Sequence, residues 1–283
     1  MRWRQTKESQ NVEDYRGRRT GGGGGGGMKF GIVGLVAIVG AYFLGIDPRL
    51  VMGLIGDSGA PSQGEAPVEA GAPTDEAGSF VAHVLGDTEE TWTAIFSEGG
   101  QQYRLPKLRL FSEGINTGCG SATSAAGPFY CPPDESVYID LTFFRQLETD
   151  FAAQGDFAKA YVIAHEVGHH VQNLLGTADK VHAARGQASE AESNALSVKM
   201  ELLADCYAGI YAHFADSTSQ VVEAGDIDEA LTAASSVGDD TIQKRMQGHV
   251  NQESFTHGSG VERQKWFRRG YGSGRMQDCN TFQ

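Results

Sequence analysis

Two stretches of the chain show the period-two alternation of half-buried strands. Residues 102–111 and 137–144 are rich in β-branched and aromatic side chains set between polar ones. The run between them, 114–133, is Gly/Ser/Pro-rich and reads as a loop. Beyond it the period lengthens. With Asp156 as a helix start and Gly176 as a stop, 157–175 is predicted to form one helix whose apolar residues lie on more than one face, as in a buried helix. Ser189 and Glu192 stand at capping-box spacing and announce a second long helix, running to about Phe214. Shorter helices are predicted at 227–235 and 262–269. Strands followed by helices give an α+β domain, expected over 79–283.

The pattern before residue 79 differs. Residues 1–27 are polar and charged and then pure glycine, and a segment 1–29 is expected to be disordered. Residues 30–46 carry no charge and, with 50–55, are long enough for a single transmembrane helix at 30–55. Residues 56–78 are Gly, Ala, Pro, Ser and acid, a flexible spacer. The formal charge is −13 overall, but 1–29 hold seven Lys or Arg against three acids, so +4 faces −17 in the remainder. That balance argues against nucleic acid as a partner. By the positive-inside rule it places the N-terminus in the cytoplasm and exports the domain to the periplasm or the cell exterior. The long N-terminal region and the lack of a small-residue cleavage site favour an uncleaved anchor over a signal peptide. All four cysteines lie beyond the apolar run, where disulfides persist in an oxidising compartment. Of the three pairings possible, Cys119 with Cys131 and Cys206 with Cys279 is expected, a short loop and a tether for the tail. No C-x-x-C occurs, which speaks against a cysteine zinc finger.

The candidate chemistry sits on the two long helices. His165-Glu166-Val167-Gly168-His169 sets two imidazoles one turn apart on one helix face, and Glu166 beside them can reach a water on a shared ion. Two histidines and a glutamate among apolar residues imply a partner. On the second helix Glu201 and Asp205 are also four apart, flanked by Leu and Ala. Glu201 is assigned as third zinc ligand, and Asp205 as acceptor from the outer nitrogen of a ligating histidine. The plainer reading of that acidic pair is a solvated face. Zinc suits two His and one carboxylate best. His170 is expected to pack, and His83, His182, His213 and His249 are taken as structural.

The His165–His170 motif, the later Glu-x-x-Ala-Asp, Gly-Pro-Phe-Tyr-Cys-Pro-Pro at 127–133 and Ser-Phe-Thr-His-Gly-Ser at 254–259 resemble the bacterial family named "putative neutral zinc metallopeptidase", over essentially the whole chain. The resemblance implies a zincin-like, zinc-dependent peptidase with a glutamate as third ligand. Glu166 would then be the general base. His257, with Tyr207 and Tyr211 as alternatives, would stabilise the oxyanion. An extended peptide or protein substrate is expected to add to a sheet edge at 137–144. The run Arg263, Lys265, Arg268 and Arg269, with Trp266 and Phe267 interleaved, reads as an amphipathic helix and alternatively as a patch steering acidic groups. The competing functions are a non-catalytic zinc scaffold at the membrane and a zinc hydrolase of cell-wall amides.

Overall fold

A computed structural model describes residues 1–17 and 71–283. The predicted transmembrane helix and most of the spacer lie outside them. Among the described residues no helix is long and apolar enough to cross a membrane.

The first strand comes from the segment expected to be disordered. Trp3 is 6% exposed, in a 3-10 turn at Trp3–Gln5, and β1 (Val12–Asp14) follows. The reason is visible side chain by side chain. Trp3 packs edge-on against Phe80, and Ser9 N–H donates to Ala82 O at 2.9 Å. Glu13 pairs with Lys107 and Arg109, while Arg16 bridges Asp14 and Asp75. A disordered tail is therefore not what residues 1–17 form. Charge content alone misjudged them, because their charges are spent on neighbours distant in sequence.

After the spacer, Asp14 N–H donates to Gly71 O at 2.8 Å. Asp75 then caps α1 (Glu76–Glu98), so the domain begins before residue 79. This helix was missed in the sequence. It passes residues 7–9 so closely that a Cβ on Gly86 would lie 2.0 Å from Lys7 O.

β2 (Lys107–Phe111) is shorter than 102–111 because Pro106 cannot donate to a ladder. The supposed loop 114–133 contains the hairpin β3 (Gly114–Thr117) and β4 (Gly120–Thr123), then β5 (Phe129–Cys131). β6 (Ser136–Asp140) stops where the Asp140 carboxylate accepts from Thr142 N–H at 2.8 Å and opens α2 (Thr142–Thr149). The main sheet has the order β1-β2-β6-β5, parallel except for β5. β6 is thus an interior strand, buried along its length, and has no open edge for a substrate; β5 does.

The helices that follow are α3 (Asp156–Leu174), which packs against β5 and β6, α4 (Thr177–Arg185), α5 (Glu190–Ser217) and α6 (Asp226–Ser236), both packed on α3, α7 (Asp239–Gln247), and α8 (Gly260–Ser273), packed on α5 and α6. The helices predicted within 79–283 are all present. Asp156 is the first helical residue of α3 rather than its cap; Glu229 from α6 accepts from Phe157 N–H instead. The Ser189/Glu192 capping box is formed, and Ser259/Glu262 makes another at α8. Against α5, α8 is seated through glycines on both sides. A Cβ on Gly209 would meet Phe267 O at 2.1 Å, and one on Gly270 would meet Cys206 O at 1.9 Å. Disulfides join Cys119 to Cys131 and Cys206 to Cys279, the expected pairing. The result is a mixed helix and small-sheet, α+β architecture.

Candidate metal centre

α3 presents Val162, His165, Glu166 and His169 on one face, at helical spacing. Gly168 lets α5 approach that face. A Cβ there would stand 3.0 Å from Ala204 O, and Ala204 lies between Glu201 and Asp205. The close crossing sets both carboxylates opposite the imidazoles.

His165 Nε2 is 3.2 Å from Glu201 Oε2, and His169 Nε2 is 3.4 Å from Glu201 Oε1. One donor atom from each of the three residues lies within 4.8 Å of the others, and all three are buried. The outer nitrogens are engaged elsewhere. His165 Nδ1–H donates to Asp205 Oδ1 at 2.9 Å, and His169 Nδ1–H donates to Gln172 Oε1 at 3.0 Å. Gln172 in turn donates to Met200 O on α5 at 2.7 Å. Both imidazoles are therefore oriented with Nε2 toward Glu201, so that the ring, once its Nε2 proton is lost, offers a lone pair there, the arrangement that metal-binding histidines require. The donor set of two imidazoles and one carboxylate fits zinc.

The electrostatics are those of a desolvated charge cluster. Burial works against the cationic form of His165, but Asp205 and Glu201 outweigh it and raise its pKa to about 9. Burial pushes Glu166 upward, opposed by His169 and His165. Burial also acts on Glu201, yet the imidazoles of His169 and His165 hold it well below the usual carboxylate range. Asp205, fully buried, is kept low chiefly by Arg263.

Arg263 was expected on an amphipathic helix packed on the core, and from that helix it reaches this centre. It is 4% exposed, and its Nε and Nη2 donate to Asp205 Oδ2 and Oδ1 at 2.8 and 3.0 Å. It cannot steer acidic ligands; Lys265, Arg268 and Arg269 remain exposed. Tyr161 OH also donates to Asp205 Oδ1.

His257 borders the same cavity, of about 170 Å³, as His165, Glu166, His169 and Glu201. It is carried there by a loop tied to α7. The Asp239 carboxylate accepts from the backbone N–H groups of Thr256, His257 and Gly258 at 2.7, 2.6 and 3.0 Å, and His257 Nδ1 lies 3.1 Å from it. Burial disfavours charge on His257, but Asp239 raises its pKa above the ordinary value. Tyr207 and Tyr211 are not on the cavity wall. Tyr207 packs edge-on against Trp92, and Tyr211 lies by Asp87. His170 is structural as expected, its Nδ1 2.9 Å from Tyr130 OH and its Nε2 2.6 Å from Arg104 O.

The model of the family described as "Putative neutral zinc metallopeptidase" matches residues 1–282. The chain belongs to this family. An uncharacterized protein of Escherichia coli strain K12, YpfJ, is 44% identical over 290 residues, covering 100% of this chain and 99% of the relative. Another, Rv2575 of Mycobacterium tuberculosis strain H37Rv, is 41% identical over 256 residues, 86% of this chain and 85% of the relative. No solved structure matches significantly.

For this metallopeptidase family member, sequence reading found His165, Glu166, His169, Glu201, Asp205 and His257 and missed Asp239, Arg263 and Tyr161 as members of the site. Tyr161 lies one turn before His165 on the same helix, an arginine amid the apolar positions of a predicted helix was a clue to Arg263, and Asp239 had no local signal. Glu166 has no hydrogen bond to its carboxyl among the described residues and faces the cavity.

Proposed function

We propose that this protein is a zinc metallopeptidase in which His165, His169 and Glu201 hold the metal and Glu166 is the general base. The observation that carries the reading is Glu166. A metal held only for structure needs no further carboxylate beside its ligands, whereas hydrolysis needs one turned into the cavity and not spent on a hydrogen bond. Zinc bound by this donor set would lower the pKa of a water and polarise a carbonyl.

Glu166, raised by burial, accepts the proton of the attacking water and passes it to the departing amine. His257, oriented by Asp239, donates from its other ring nitrogen to the oxygen of the scissile carbonyl. Asp205 fixes the His165 tautomer, and Arg263 balances the Asp205 charge so that the buried carboxylate stays ionised. An extended substrate runs along β5, whose Phe129 and Tyr130 border the cavity. The arrangement is consistent with a zincin-like enzyme. The two disulfides support an exported location for the domain and for residues 1–17 bonded to it.

The test compares full-length wild type with Glu166→Gln. Both should bind one zinc, and only the wild type should cleave an unfolded protein such as casein, the variant losing at least about 10²-fold. Equal biological effect from both proteins would favour the scaffold reading.

A further inference from the structure

We infer that the substrates are proteins or peptides cut internally beside a large apolar side chain, which enters the cavity next to the ligand cluster. The inference rests on the peptidase reading above. Val162 stands three residues before His165 on the ligand face of α3, so it forms the wall immediately beside the metal ligands. Across from it the wall is built by Phe129 of β5, Phe143 of α2, Phe151 just beyond α2 and Ile242 of α7. The cavity of about 170 Å³ is a little larger than an apolar void of ~150 Å³ that takes up benzene. It therefore has room for one phenyl or branched aliphatic group.

The charges on the wall are already committed. Arg263 is bound to Asp205 and donates to Val237 O. Glu201 lies between two imidazoles, and His257 is held by Asp239. Among the lining residues no arginine or lysine is left to receive the α-carboxylate of a C-terminal residue, and the free ring nitrogen of His257 is taken by the scissile carbonyl in the reading above. Apart from Glu166, no carboxylate is left for an α-ammonium. A charged side chain or chain end would be desolvated there without compensation, which is costly. An apolar side chain in mid-chain loses nothing but water.

The experiment uses zinc-loaded full-length protein and internally quenched peptides that differ only in one central residue: Phe, Leu, Ala, Asp or Lys. Cleavage rates and cut sites are read by fluorescence and mass spectrometry. Binding of the same peptides to Glu166→Gln is read by fluorescence anisotropy. Phe or Leu should exceed Ala by at least about tenfold in both rate and affinity, with Asp and Lys lower still and every cut internal. Ile242 is only half-buried, so Ile242→Asp and Ile242→Lys should fold; they should shift preference toward Lys and Asp respectively. Equal cleavage across the series, or trimming from an end, overturns this inference and leaves the peptidase reading intact. Apolar preference in binding without cleavage by the wild type upholds the cavity's specificity and removes the peptidase reading. Neither binding nor cleavage overturns both.

Discussion

His165 carries the most consequence of any single residue. In the metal-free protein its pKa is raised to about 9, so at neutral pH the ring holds a proton that zinc must displace. Zinc affinity should therefore climb by about tenfold per pH unit between the ordinary histidine value and 9, then flatten. Calorimetry at pH 7 in buffers of different ionisation enthalpy should show close to one proton released. The metal-free protein should respond in the opposite sense. A raised folded-state pKa contributes stability that is whole below the unfolded value, and that contribution is lost as pH rises through about 9. Glu201→Ala removes the carboxylate that faces both rings, and zinc content after dialysis should fall from one equivalent to near none. Asp239→Ala should keep its zinc, yet lose about 10²-fold in kcat, because the loop that carries His257 and the ring itself lose their anchor away from the metal ligands.

Between elements, the centre depends on how closely α5 can be approached, by α3 at Gly168 and by α8 at Gly209 and Gly270. Gly270→Ala forces a methyl onto Cys206 O and should destabilise the fold by about 1–3 kcal/mol or more in chemical denaturation. Arg263→Met would leave Asp205 buried without its guanidinium, with only His165 and Tyr161 as donors, and should cost about 3–5 kcal/mol. This scale also separates what the sequence discloses from what it hides. A spacing of four on a helix is a local fact, so His165 with His169, and Glu201 with Asp205, could be read directly. The capping box at Ser189 was readable for the same reason. Asp239 and Arg263 belong to the site only because α7 and α8 fold back over α3 and α5. Their partners lie 18 and 58 residues away in the chain, and no periodicity reports on such distances. The short β3, β4 and β5 were hidden differently, since Gly and Ser pair as strands here without an alternating apolar signal.

On the scale of the whole molecule, the N-terminal segment belongs to the domain that it was expected to leave. Trp3, 6% exposed against Phe80, should be worth about 3–5 kcal/mol when replaced by alanine, measured by thermal or urea unfolding. A fragment starting at residue 79 would lack β1, Trp3 and the Asp75 cap, so biochemistry on this protein requires residues 1–17. The same strand bears on sidedness. β1 is hydrogen-bonded to β2, and Asp14 to Gly71, and groups in different compartments cannot share hydrogen bonds. Residues 1–17 and 71–283 are thus expected on the same side of a membrane. A topology reporter fused to either end should read the same side.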